Sequence, residues 1–166
     1  MSEAYVECLI EAKSSMLLKI LQVGLIVLTV ILGFLGITFM LWLALIIAVG
    51  TGIAAYFAYM NADIEYEYLY LDKEITIDKV MAKSNRKRVG VYTLERMEVL
   101  APIKSYHLDN YKNRNVKVLD YSIGVEEQPD LRYALYYEGG LKLILSPSEE
   151  MVKVIKNVAP RKVFTD

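Results

Sequence analysis

The chain has 166 residues, with 19 Lys and Arg against 20 Asp and Glu, one histidine and one cysteine. Near-neutrality removes the surplus positive charge on which binding to a phosphate backbone depends, so no nucleic-acid partner is expected. The single cysteine, Cys8, excludes an internal disulfide and a cysteine-rich zinc site, and suits a reducing compartment.

Residues 1–14 form a short N-terminal segment that admits two readings. Residues 5–10 could be an edge strand with Tyr5, Glu7 and Leu9 on one face, or a short interfacial helix leading into a membrane. Good helix formers follow without a turn signal, which favours the helix.

Between Ile20 and Ala62 there is no charged residue. As one helix this run would measure roughly 60 Å, about twice the hydrocarbon thickness of a bilayer and beyond any reasonable tilt. Two membrane-spanning helices within residues 15–62, over about 15–35 and 38–60, are the economical solution. Gly33 and Gly36 lower helix propensity and permit positive φ, so the turn is expected within residues 33–38. Trp42 then falls near the turn, and Tyr56 and Tyr59 near the opposite interface. A cleaved signal peptide is not expected, because the start is slightly acidic and the apolar run far exceeds the usual length.

A hairpin puts both termini on one side. Lys13 and Lys19 flank the first span while the turn has no Lys or Arg, so termini and domain are expected in the cytoplasm of a multi-pass plasma-membrane protein. Ala44, Ala48 and Gly52, and separately Gly50, Ala54 and Ala58, recur every four residues. Such stripes let helix backbones approach closely in lipid. They pack the second helix on the first, or they form a homo-oligomer face; the pattern leaves both open.

Residues 63–166 carry 17 Lys and Arg against 17 Asp and Glu, and the periodicity changes to that of strands. Residues 64–71 alternate, with Tyr66, Tyr68 and Tyr70 on one face. A turn at Asp72-Lys73-Glu74 leads to a strand over 75–81. Lys83-Ser84-Asn85-Arg86 reads as a hairpin loop, followed by strands over 87–94 and from Val99 toward Pro102. Residues 104–115 read as a long polar loop. Strands over 116–123, 132–138 and 141–145 follow, the last two joined at Glu138-Gly139-Gly140, a strong hairpin signal. Alternation places one of Tyr136 and Tyr137 inside and the other outside. A terminal helix is expected to start at an N-cap Ser146, with Pro147 and Glu149 completing the start signal. Met151, Val152, Ile155 and Val158 form its apolar face, and Pro160 lies beyond its end.

The expected fold is an α+β membrane protein: a two-helix transmembrane hairpin, then an antiparallel β-barrel or sandwich over residues 63–166 closed by a C-terminal helix. Residues 68–102, with Val91-Tyr92-Thr93-Leu94-Glu95-Arg96-Met97-Glu98-Val99 and the capped terminal helix, resemble bacterial membrane proteins of unknown function that carry a helical hairpin and a PH-like domain. The resemblance spans about residues 15–158 and implies roles in binding and assembly at a membrane.

Chemical signatures are sparse. No GxGxxG, Walker A, HExxH, CxxC or nucleophile-elbow pattern occurs. His107 reads as a solvated loop histidine and Cys8 as a small apolar residue. Glu126-Glu127 could join a weak cation site, whereas Glu149-Glu150 complements a helix N-terminus. No metal or cofactor is expected, and no enzymatic activity. The densest charge cluster is Lys83, Arg86, Lys87 and Arg88. It is a solvated strand end that blocks edge pairing, or a contact for anionic headgroups; eukaryotic PH domains bind phosphoinositides through an early basic hairpin.

The leading expectation is a non-enzymatic, membrane-anchored binding or assembly module whose domain contacts a protein partner or itself. Anionic-lipid binding through residues 83–88 is one alternative. An accessory subunit of a membrane enzyme or transporter is another, disfavoured because transport paths carry ionisable residues within the bilayer.

Overall fold

The structure is a computed structural model, and the residues it describes are 5–12, 16–124 and 130–165. Among these, the element order is β1 (Val6–Glu11), α1 (Met16–Thr38), α2 (Trp42–Ala62), β2 (Ile64–Leu71), β3 (Glu74–Met81), β4 (Asn85–Thr93) and β5 (Met97–Pro102). A 3-10 helix (Tyr106–Tyr111), β6 (Lys117–Asp120), β7 (Tyr133–Tyr137), β8 (Leu141–Leu145) and α3 (Glu149–Val158) complete it. Two compact units result, a helix pair and a two-sheet domain.

In the helix pair, α1 and α2 are both long and apolar enough to cross a membrane. Their outward surfaces expose Leu17, Val23, Val27, Phe34, Ile46, Val49, Ile53 and Phe57. Water would strip such a surface by aggregation; lipid matches it. The turn falls at residues 39–41, later than the two glycines. Met40 adopts the left-handed conformation at φ 52°, and Leu41 N–H donates to the Gly36 carbonyl at 3.0 Å. This six-residue closure is a Schellman-type helix end, with methionine where glycine is usual. Gly36 serves packing instead: a Cβ there would stand 2.6 Å from Leu45 Cδ2 and 3.3 Å from the Leu45 nitrogen.

In the domain, one sheet runs β1-β2-β3-β4 and the other β5-β7-β8-β6. Residues 6–11 are a strand, not an interfacial helix. They pair antiparallel with β2 from Val6↔Tyr70 to Glu11↔Glu65. Their alternation sends Val6, Cys8 and Ile10 to the core and Glu7 and Leu9 outward. Pairing with β2 supplies the long-range partner that local helix propensity could not anticipate. The helix pair is thus inserted in the chain between two neighbouring strands of one sheet.

Two further expectations change. β6 pairs parallel with β8, from Lys117↔Leu141 to Asp120↔Ile144, so the strands are not all antiparallel. The segment between β5 and β6, with its 3-10 helix, carries the chain from one edge of this sheet to the other. Tyr136 and Tyr137 do point to opposite faces, but both are buried. Tyr137 joins Tyr68, Ile77, Tyr92, Leu135, Leu143 and Ile155 in the main core, and Tyr136 joins Val99, Ala101, Leu108 and Ala134 in a second. The second sheet is therefore covered on both sides.

The terminal helix starts two residues later than its sequence signal suggests. Ser148, not Ser146, is the cap, its Oγ accepting from Met151 N–H at 3.2 Å. Ser146 is engaged elsewhere: its N–H donates to the buried Tyr68 hydroxyl at 3.2 Å, and that hydroxyl donates to the Tyr121 carbonyl. Beyond α3 the chain lies along β5, with Leu100 N–H on the Lys162 carbonyl at 2.8 Å and Phe164 N–H on the Leu100 carbonyl at 2.9 Å. That edge is closed to pairing with another chain.

Candidate functional site

The basic cluster does not form a loop. The β3–β4 turn is centred on Ala82 and Lys83, both left-handed at φ 49° and 56°, and Arg86, Lys87 and Arg88 lie within β4. Moving the turn toward the N-terminus puts the arginines opposite carboxylates. Arg86 reaches Glu67 on β2 at 2.8 Å, and Arg88 reaches Asp78 on β3 at 3.5 Å. Neither contact has linear hydrogen-bond geometry, so the pairs act through charge more than direction. Two of the four cations are thus engaged with acids of their own sheet.

Lys83 lies in the turn itself. In the helix-pair unit, Ala82 N–H donates to the carbonyl of Asp63, one residue beyond α2, at 3.0 Å. This bond fixes the β3–β4 turn beside the end of the second apolar helix. Lys19 near the start of α1 reaches Asp63 at 3.0 Å, so the chain enters and leaves the helix pair at one level.

Of the small-residue stripe, Ala44 is half-buried, Ala48 is buried and Gly52 is half-buried. A Cβ on Gly52 would stand 3.5 Å from Thr29 Cγ2, which places that position on the face turned to α1. The helices also share a hydrogen bond that hydropathy alone conceals: Thr29 Oγ1 meets Thr51 Oγ1 at 2.9 Å. Gly50 and Ala54 of the other stripe are exposed, while Ala58 is buried.

His107 is not a solvated loop residue. Its ring stacks on Phe164, centroids 3.6 Å apart and 17° between planes, with Tyr106 at 4.0 Å. Cys8 is half-buried on the core side of β1. Glu149 and Glu150 occupy the first turn of α3, while Glu126 and Glu127 lie outside the described residues. Among the described residues, no group of three His, Cys, Asp or Glu side chains could hold a metal ion.

Sequence reading also missed a carboxylate cluster on the outward face of the first sheet. Glu7, Glu67 and Asp78 line a small hollow with Tyr5 and Arg86. Burial pushes the Glu67 carboxyl above the usual carboxylate range, and hydrogen bonding to Glu67 holds Glu7 below it.

The family described as bacterial PH-like domain (DUF6106) matches residues 2–165. The chain belongs to that family. The match runs through the helix pair as well as the strands, so in this PH-like protein β1, the helices and the remaining sheet form one family unit. No curated protein and no solved structure matches the chain.

Proposed function

We propose that this PH-like protein is a non-enzymatic, membrane-anchored binding or assembly module. Its helix pair holds the domain at the membrane surface, where the domain contacts a protein partner or a second copy. The observation that carries this reading is the apolar exterior of α1 and α2. Lipid is the solvent that such a surface fits. The lysines flanking α1 and their absence from the turn support a hairpin with both ends in the cytoplasm.

The test has two arms. A reporter fused to the C-terminus is expected to stay cytoplasmic, and its export would overturn the sidedness. Purified full-length protein is expected to show no turnover of a substrate panel and to enrich a defined partner, or itself, by cross-linking in native membranes. Turnover, or an absence of cross-links, would overturn the module.

One observation favours a second reading, contact with anionic headgroups. The Ala82–Asp63 bond keeps Lys83 beside the end of α2, and each cation near an anionic surface contributes roughly 1 kcal/mol. Lys83 and Lys87 are both exposed and are the cations tested. In nanodiscs, amide exchange over residues 81–88 should slow when phosphatidylglycerol replaces phosphatidylcholine, and a K83S/K87S variant should lose that difference. Equal exchange in the two lipids would remove this reading.

A further inference from the structure

The pairing of β1 with β2 brings together an unusual number of acids. Glu11 stands directly opposite Glu65, Glu7 opposite Leu69, and Leu9 opposite Glu67. Glu7 and Glu67 are therefore diagonal neighbours on the outward face, and both line the same small hollow. Glu67 is only 7 % exposed. Two carboxylates cannot hydrogen-bond unless one of them keeps a proton.

The groups facing this pair come from all four strands. Tyr5 donates its hydroxyl to Glu7 at 2.8 Å from the N-terminal side of β1. Asp78 on β3 adds a second negative neighbour to Glu67, and Arg86 on β4 a positive one. The Arg86 guanidinium is mostly exposed, and Glu67 Oε2 receives no linear hydrogen bond from it. Water thus screens the one interaction that favours ionised Glu67. Burial, Glu7 and Asp78 all oppose ionisation.

We propose that β1 is latched to the domain by one proton shared between Glu7 and Glu67, and that losing this proton at higher pH loosens the strand. Released from the sheet, Glu67 regains water and an ordinary affinity for protons. The docked form therefore holds more protons over the interval between the ordinary carboxylate range and the raised native value. Linkage requires docking to weaken as pH rises through that interval. At the acid end, the lowered Glu7 works in the opposite sense, so docking is firmest while the pair holds a single proton. β1 precedes the helix pair and β2 follows it, so the latch is a tie across the inserted helices. Opening it bares the backbone edge of β2, an edge able to accept another strand.

Hydrogen–deuterium exchange on the full chain in detergent micelles tests this directly. After correction for intrinsic rates, protection over residues 6–11 should fall by up to about tenfold for each pH unit separating the undocked and docked Glu67 values. Protection over β7 and β8 should stay constant. E67Q supplies a permanent amide donor to Glu7 and should keep β1 protected at the alkaline end of the series. E7Q, which donates in the other direction, should do the same. A wild-type β1 whose protection is flat with pH would overturn the proposal. So would a loss that E67Q and E7Q leave unchanged, or one shared equally by β7 and β8.

Discussion

Asp130 and Arg132 form a well-shielded ion pair. The guanidinium donates through Nε and Nη2 to the two carboxylate oxygens at 2.9 and 3.0 Å, with side chains 5 % and 14 % exposed. Hydrogen bonding from Arg132 holds the Asp130 carboxyl below the usual range. A depressed native value stabilises the fold above the ordinary aspartate range, and that contribution is lost as pH falls through the native value. Asp130→Asn should therefore lower stability by about 2 kcal/mol near neutrality. Its cost should shrink in acid, as read by chemical denaturation at several pH values. Gly90 shows the opposite kind of constraint, one of space. A Cβ there would lie 2.5–2.7 Å from the ring of Tyr92, and that ring is held edge-on to Tyr137 in the core. Gly90→Ala should cost about 1–3 kcal/mol through overpacking, measured by the same denaturation.

The elements divide according to how local their instructions are. The β7–β8 hairpin is legible because Gly139 and Gly140 occupy the two left-handed positions its turn needs, at φ 90° and 76°. The β2–β3 turn uses Asp72 and Lys73 in the same conformation, and its strands alternate clearly enough to reveal it. β1 is not legible, because its partner lies beyond the whole helix pair and six alternating residues suit several conformations. The parallel direction of β6 leaves no trace in side-chain periodicity. The basic cluster was visible as charge, but its partners Glu67 and Asp78 depend on cross-strand register. Placing the β3–β4 turn only a few residues late turns paired arginines into free ones. The capping of α3 illustrates the same competition. Ser146 carries the stronger sequence signal, but its Oγ accepts from Ile123 N–H at 3.4 Å, and Ser148 caps the helix. Ser148→Ala should cost about 1 kcal/mol through the lost cap; a thermal melt showing no change would contradict the assignment. Within the helix pair, Thr29→Val should weaken association by about 0.6 kcal/mol through the lost Thr29–Thr51 bond. Gly36→Leu should do more damage, because the bulk meets Leu45 at the closest approach; single-molecule unfolding in bicelles would read both.

At the scale of the molecule, two solvents explain the two units. The domain buries two cores around its second sheet, as a water-soluble fold should. The helix pair leaves its large apolar side chains outside, the surface that the proposed membrane anchor requires. The sequence pattern reveals that there are two apolar helices, since the charge-free stretch needs no tertiary information, but it places their turn before residues 39–41. It reveals the domain only partly, because the domain's first strand is encoded before the helices and the rest after them. Membrane fractionation of the full-length chain tests the central claim most directly. After an alkaline carbonate wash the protein is expected to remain with the membrane pellet and to enter solution only in detergent. A chain that washes free and runs as a soluble monomer would contradict it.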